Sequence, residues 1–156
     1  MAGKIVLFLA LLLVGLTAGA AVTVWLDSNP SGMSPGFYAE EMQHAIRVFM
    51  VPLNAIAVLG VFFTVVATFL ARRDSLSLYL LIAASVCAIT ATLITFFGSV
   101  PIINQIMTWN ANAPPSNWLD VGNKWWWFQT IRTIIVITEL SLIIGSVLVH
   151  RDAAKN

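Results

Sequence analysis

Charge is scarce in this sequence. Only 10% of its 156 residues are charged, against about 25% in an average soluble domain, and 59% are apolar. A soluble domain of this length cannot hide so much apolar surface, because small proteins bury only about two-thirds of the surface that the unfolded chain exposes. The composition therefore excludes a soluble globular protein, and the many apolar residues exclude a disordered one.

Cysteine, histidine and clustered basic residues are also nearly absent. The single cysteine, Cys87, excludes an internal disulfide and a thiolate metal cluster. The 8 Lys and Arg residues nearly balance the 7 Asp and Glu residues and form no basic patch, so no nucleic-acid partner is expected. His44 alone is too little for a metal site. No nucleotide-binding or metalloprotease motif occurs, and we expect the protein to use no cofactor.

Four long apolar stretches dominate what is present. Each reaches the roughly 20 residues that a helix needs to cross a bilayer core, and none alternates between polar and apolar residues as a barrel strand does. The first is long for a signal peptide, and we expect it to stay as a membrane helix. The sequence therefore predicts an all-α fold. One integral membrane domain forms a bundle of four transmembrane helices over about residues 5–26, 44–70, 75–107 and 125–150.

The positions of the basic residues predict the orientation of the bundle. Arg72-Arg73 joins the second and third stretches, Lys4 precedes the first, and Arg151 and Lys155 follow the fourth. Because cytoplasmic segments carry an excess of Lys and Arg, both termini and the Arg72-Arg73 turn are expected in the cytoplasm. The membrane is expected to be the inner (plasma) membrane of a bacterium.

Tryptophans and turn residues mark the opposite, outer end of the predicted bundle. All six tryptophans fall there, as expected for rings that prefer the membrane–water interface. Two longer loops lie there too, and their Asn29-Pro30, Pro35-Gly36 and Pro114-Pro115 pairs are typical of turns. Aromatic residues in these loops supply apolar anchors, so we predict a small ordered cap on the outer face. The lipid bilayer is the first expected partner.

Polar residues inside the second and fourth stretches repeat one pattern. Each stretch carries three of them at positions i, i+3 and i+10, a spacing that places each trio on one face of a helix. The trios are His44, Arg47 and Asn54, and Gln129, Arg132 and Glu139. The repeat fits either an old duplication of a helical hairpin or a coincidence between two apolar helices.

Three of these polar residues are ionisable, and charge inside a bilayer is costly. Burying Arg47, Arg132 and Glu139 only to pack helices would be expensive, so they indicate a polar pocket in the outer half of the bundle. Asn54 and Asn104 follow prolines, which free a backbone carbonyl within a helix. Each asparagine either lines the pocket or only holds a helix kink and an interhelical hydrogen bond.

This layout resembles the anthrone-oxygenase-like family of small four-helix membrane proteins, whose bacterial members are mostly of unknown function. The resemblance covers nearly the whole chain, and its motifs are Gly15-x3-Gly19-Ala20, Pro52-Leu53-Asn54, Pro101-Ile102-Ile103-Asn104, and Trp125 and Trp127 followed by Arg132-Thr133. In that family the last motif is expected to read Trp-x-x-His-x-x-Arg. Its histidine position is Gln129 here, and a glutamine cannot act as a base near neutral pH.

Two functions are kept open. Gln129 in place of a histidine favours a non-catalytic accessory subunit, or a binder of a lipophilic ligand, in a membrane complex. Its partners would be other membrane subunits or a second copy of the chain, and its ligand an aromatic or quinone-like molecule. The alternative, implied by the resemblance, is a cofactor-independent enzyme that oxidises a polycyclic phenol or a quinol-type substrate with O2.

The enzyme hypothesis gives each polar residue a role. His44 is the candidate base, Arg47 and Arg132 stabilise the oxyanion, and Glu139 sets their charge balance. The predicted binding residues, which orient or stack on a flat ring, are Asn54, Asn104, Gln129, Trp125 and Trp127. A single carboxylate in four spans is thin support for a third class, a proton-coupled transporter.

Overall fold

The structure is a computed structural model that describes residues 2–71 and 75–153. Within these ranges it contains helices and no strands. The helices are α1 (Ala2–Asp27), α2 (Pro35–Leu70), α3 (Ser75–Leu93), a π-helical segment (Ile94–Ser99), α4 (Val100–Ile106) and α5 (Trp118–Ala153). The π-helical segment joins α3 and α4 into one continuous rod. Because the described ranges contain helices and no strands, the all-α prediction is confirmed.

Four helices in the described part of the chain are long and apolar enough to cross a membrane: Gly3–Asp27, Pro35–Leu70, Ser75–Ile106 and Trp118–Val149. Large apolar side chains on all four are exposed, among them Phe8, Phe62, Phe97 and Leu148. Such a surface is stable against lipid and not against water. The chain is an integral membrane protein in contact with the bilayer.

The orientation of the bundle stays a prediction. Arg72, Arg73 and Lys155 lie outside the described residues, and so does the side chain of Arg151. We therefore refer to the Trp-rich end, where α1 and α4 end and α2 and α5 begin, and to the opposite end.

Two helices begin earlier than the apolar stretches predict. α2 begins at Pro35 and not near 44, and α5 begins at Trp118 and not near 125. Pro35 suits a first helical turn, because its missing N–H would have no partner there. Asp120 in the first turn of α5 faces the positive end of the helix dipole. Hydropathy identifies only the residues that cross the bilayer core. It therefore did not predict the polar first turns of α2 and α5, which lie beyond that core.

The early helical turns and two loops form the cap at the Trp-rich end. The rings of Tyr38 and Trp118 lie 5.6 Å apart, and both pack in a cluster with Met42 and Ile106. The Gln43 amide donates to the backbone carbonyl oxygens of Ile106 and Trp109 at 3.0 and 2.9 Å. These bonds tie the start of α2 to the end of α4 and make the cap an ordered part of the fold.

Small residues set the packing below the cap. A cluster around Ala18, Ala91 and Val136 lies in the middle of the bundle, and a second apolar cluster that includes Val14 and Leu81 lies toward the opposite end. Gly60 on α2 approaches Val14 on α1 closely enough that a Cβ there would meet its Cγ2 at 3.4 Å. The candidate site extends from the level of these residues to the cap.

Candidate ligand-binding site

Two adjoining cavities lie between α1, α2, α5 and the rod formed by α3, the π-helical segment and α4. The deep cavity, of about 100 Å³, includes Val14, Ala88 and Glu139 in its lining. The Trp-side cavity, of about 190 Å³, extends toward Trp125 and the cap. Five residues line both: Val24, Leu53, Asn54, Thr95 and Arg132. Most of the other lining side chains are apolar, as is typical of ligand pockets.

The cavities arise because α2 stands away from the π-helical segment. No Cα atom of α2 lies within 8 Å of one in that segment, although α2 packs along α1 and α3. Val58 on α2 and Phe96 in the π-helical segment both line the deep cavity and are exposed. Because both side chains are exposed on the surface of the bundle, the deep cavity is open on this side, which faces the bilayer.

The polar wall of both cavities is one face of α5. Trp125, Gln129, Arg132, Val136 and Glu139 follow one another at intervals of three or four residues, which aligns them on a helix. At about 1.5 Å per residue this stripe is roughly 21 Å long. It crosses the Trp-side cavity first and then the deep cavity.

Arg132 is the cation at the junction of the two cavities. Its side chain is half-buried, and its Nη1 donates to Thr95 Oγ1 at 3.5 Å. Among the described residues no carboxylate lies within ion-pairing distance of the guanidinium. A guanidinium has five N–H donors, so most of its hydrogen-bonding capacity is available to an oxygen atom in the cavity.

Glu139 lies deeper on the same face and is 4% exposed. Its Oε1 accepts a hydrogen bond from Thr64 Oγ1 at 3.5 Å, while that hydroxyl also donates to the Gly60 carbonyl at 2.9 Å. The carboxyl group therefore has one long hydrogen bond within the described chain. It can accept a proton from a molecule in the deep cavity, which it lines.

Gln129 joins α5 to α1. Its Nε2 donates to the Ala21 carbonyl at 3.0 Å and lies 3.4 Å from Thr133 Oγ1. Thr133 Oγ1 itself donates to the Gln129 carbonyl at 2.8 Å and lies 3.3 Å from the Ala21 carbonyl. A histidine at this position could make a similar contact through one ring nitrogen, so the glutamine keeps a hydrogen bond but brings no base.

Five of the residues predicted from sequence line the cavities: Asn54, Trp125, Gln129, Arg132 and Glu139. The other four, His44, Arg47, Asn104 and Trp127, are exposed and line neither cavity. The Arg47 guanidinium donates to Gln43 Oε1 at 3.3 Å on the outside of α2. The roles predicted for these four residues stay predictions, and the geometry places them outside the site described here.

The π-helical segment supplies lining residues that the sequence did not single out for the site. Thr95 accepts the Arg132 hydrogen bond, and Ser99 lines the Trp-side cavity. The Val100 N–H bonds to the Thr95 carbonyl, five residues back. Pro101, next in the chain, has no N–H to give to an α-helical bond. This proline was the only signal in the sequence, and π-helical turns often lie at functional sites.

The described chain thus forms four helices long and apolar enough to span a membrane, with a cavity of partly polar lining between them. The family model for anthrone oxygenase matches residues 41–141, which is more than half of the chain. The chain belongs to the anthrone oxygenase family, so the predicted family membership is confirmed. The match does not include the Gly15-x3-Gly19-Ala20 motif. No curated protein and no solved structure matches the chain.

Proposed function

We propose that the protein binds a flat, lipophilic, polycyclic molecule that carries oxygen, of the anthrone or quinone class, in the two cavities. The observation that carries this proposal is the Arg132 guanidinium, which lies in an apolar cavity open to the bilayer with most of its donors unused. A carbonyl or phenolate oxygen of the ligand meets this cation. The rings fill the space between Leu53, Ala57 and Val136.

Removal of the guanidinium tests this proposal. The measurement is binding of 9,10-anthraquinone to the protein in lipid nanodiscs, followed by quenching of tryptophan fluorescence. A hydrogen bond to a charged group contributes about 1.5–3 kcal/mol, so Arg132→Gln is expected to weaken binding about tenfold to a hundredfold. Lys124→Gln, which removes an exposed cation from the same helix, is the matched control.

Arg132→Lys separates charge from hydrogen-bond geometry. A lysine keeps the positive charge but lacks the planar fork of donors, so an intermediate affinity is expected. The proposed site would be refuted if the native protein and Arg132→Gln had the same affinity for anthraquinone and the same melting temperature.

A second candidate function is oxidation of the bound anthrone, and Glu139 favours it. A base and a cation in one cavity are what the reaction requires. Glu139 removes a proton from the CH2 carbon opposite the anthrone carbonyl, and Arg132 stabilises the resulting enolate oxygen. The electron-rich carbon is oxidised by O2 to a hydroperoxide, which loses water to give the second carbonyl. One anthrone and one O2 thus yield one anthraquinone and one water.

Oxygen uptake tests this second candidate. General base catalysis contributes about 10²–10⁴-fold. After subtraction of the uncatalysed rate, the rate of anthrone-dependent O2 uptake by Glu139→Gln is therefore expected to be at least about 100-fold below that of the native protein. Its anthraquinone affinity is expected to remain. Glu40→Gln, an exposed carboxylate outside the cavities, serves as the control. If the native protein binds anthraquinone but consumes no O2 with anthrone, the binding function is retained and the oxidation is refuted.

An accessory-subunit role is the non-catalytic form of the same proposal. Extraction from the native membrane in mild detergent, followed by the mass of the particle and identification of co-eluting chains, distinguishes it. A small particle of this chain alone supports an independent protein. Stoichiometric co-migration with other membrane chains supports a subunit. Residence in a bacterial inner membrane with cytoplasmic termini is likewise proposed, from the distribution of basic residues.

A further inference from the structure

Two buried polar atoms beside the Trp-side cavity have no hydrogen-bond partner: Ser99 Oγ and Trp125 Nε1. The Ser99 side chain is 2% exposed and that of Trp125 is 5% exposed, and both residues line this cavity. The neighbouring indoles differ. Trp25 Nε1 donates to Thr130 Oγ1 at 2.9 Å, and Trp126 Nε1 donates to the Trp25 carbonyl at 3.1 Å. The indole that lacks an acceptor is the one beside the cavity.

The π-helical segment explains why the Ser99 hydroxyl lacks its usual partner. A serine or threonine in a helix commonly bonds the carbonyl four residues back, as Thr90, Thr92 and Thr95 do here. For Ser99 that carbonyl belongs to Thr95. In the wider π-helical turn it accepts the N–H of Val100, five residues on, and no hydrogen bond from the Ser99 hydroxyl. The π-helical turn thus leaves the serine hydroxyl free beside the cavity.

Two free donors at this depth are costly. A buried donor without an acceptor costs about 1–3 kcal/mol. Both residues line one cavity, so a ligand in that cavity can supply the missing partner. The indole N–H only donates and the serine hydroxyl can donate, so the ligand group that suits both is an acceptor such as a carbonyl oxygen.

We infer that Ser99 and Trp125 form a second oxygen-binding subsite, which binds the ligand oxygen farthest from Arg132. The inference rests on the proposed binding function and not on the oxidation, because a ligand in this orientation directs its far edge toward Trp125 and away from Glu139. It adds a specificity to the binding. Trp125 and Arg132 are seven residues apart, about 10 Å along α5. That distance, with the reach of the two side chains, suits a fused-ring molecule with oxygen atoms at opposite edges. The protein then prefers such a molecule to one with a single oxygen.

Two probes that differ in one oxygen test the inference. Anthrone has one carbonyl, and 9,10-anthraquinone has a second carbonyl directly opposite, so both are titrated without O2 into the nanodisc protein. The native protein is expected to bind anthraquinone more tightly. Ser99→Ala and Trp125→Phe are each expected to weaken anthraquinone binding about threefold to tenfold more than they weaken anthrone binding. Ser141→Ala and Trp109→Phe, outside both cavities, are the matched controls.

The indole N–H itself provides a measurement on the native protein, which does not depend on folding of the variants. With ¹⁵N-labelled tryptophan, the Trp125 resonance is the one missing from Trp125→Phe. Anthraquinone is expected to shift its proton downfield as a hydrogen bond forms, and anthrone is not.

Three outcomes overturn the inference. Equal affinity of the native protein for the two probes removes the second subsite alone and leaves the proposed binding function. Equal weakening of both probes by Ser99→Ala and Trp125→Phe assigns these residues to packing. Failure of the native protein to bind either probe overturns the proposed function and this subsite with it.

Discussion

Gln129 links the sequence motif to the fold at the level of one side chain. It occupies the position at which the family motif is expected to carry a histidine, and it is 1% exposed. Its amide holds α5 against the Ala21 carbonyl of α1, just above Arg132. The residue therefore sets the position of the cavity wall. If the oxidation occurs, the proton acceptor is another group. Two carboxylates share a cavity with Arg132, Asp27 in the Trp-side cavity and Glu139 in the deep cavity, and of these Glu139 is the buried one.

Replacing Gln129 with leucine is expected to destabilise the protein. Leucine has a similar volume but leaves the Ala21 and Thr133 oxygens without the amide donor. Hydrogen bonds between membrane helices contribute about 0.6 kcal/mol on average and up to about 1.7 kcal/mol, so a loss of about 1 kcal/mol is expected. Thermal or denaturant unfolding in detergent measures it. Gln105→Leu, at an exposed position, is the control. An equal loss of stability in both variants would show that the hydrogen bond from Gln129 to Ala21 does not stabilise the protein.

More residues of the trio on α5 than of the trio on α2 line the cavities. The spacing of Gln129, Arg132 and Glu139 placed them on one face of α5, and that face lines the cavities. The same spacing groups His44, Arg47 and Asn54 on α2, but there only Asn54 reaches the cavities. Periodicity identifies residues that share a face. It does not identify which face packs inward, because that depends on helices distant in the sequence.

At the scale of elements, the π-helical segment distinguishes the observed bundle from the predicted one. Hydropathy predicted the third span, since every residue from Ile94 to Gly98 suits a membrane helix. It could not predict the wider turn, which depends on Pro101 and on packing against α5. The segment carries Thr95 and Ser99, which line the cavities, so the sequence did not predict this part of the site.

Gly98 lets α5 approach this segment. A Cβ at Gly98 would lie 2.7 Å from Cδ1 of Phe128, which is closer than two carbon atoms tolerate. Gly98→Ala is therefore expected to displace the Phe128 ring and destabilise the protein by about 1–3 kcal/mol, as overpacking does elsewhere. Melting temperature in detergent is the measurement.

Two further variants complete this test. Gly15→Ala places a methyl group in open space on α1 and is expected to cost nothing, because alanine favours a helix over glycine. The double variant Gly98→Ala with Phe128→Val removes the obstructing ring and is expected to recover part of the loss. A fully stable Gly98→Ala would show that the ring moves without cost, and the close packing of α5 on the π-helical segment would then be unimportant.

For the whole molecule, the four spans follow directly from composition, because roughly 20 apolar residues have few folds available in a bilayer. The position of the cavity does not follow in this way. It depends on the gap between α2 and the π-helical segment, which no local pattern encodes. The opening toward lipid suits the proposed ligand, since a polycyclic molecule partitions into the bilayer and reaches Arg132 without crossing the cap.

The orientation of the whole chain in the membrane can be tested directly by chemical labelling. The basic residues predict that Lys4 lies in the cytoplasm and that the loop before α5 lies outside. In a Cys87→Ser background, Asn112→Cys places a thiol on that loop and Lys4→Cys places one at the other end, both at exposed positions. A membrane-impermeant maleimide added to intact spheroplasts is expected to label the first and not the second.

Detergent permeabilisation supplies the control for this labelling, because both thiols must then react. Labelling of Lys4→Cys alone in intact spheroplasts would reverse the orientation. The Trp-rich end, the cap and the nearer Trp-side cavity would then face the cytoplasm. The binding proposal itself survives either result, since the cavities open sideways to lipid between Val58 and Phe96. What the labelling decides is which water phase lies nearer to the Ser99 and Trp125 subsite, and hence from which side protons and water reach a bound ligand.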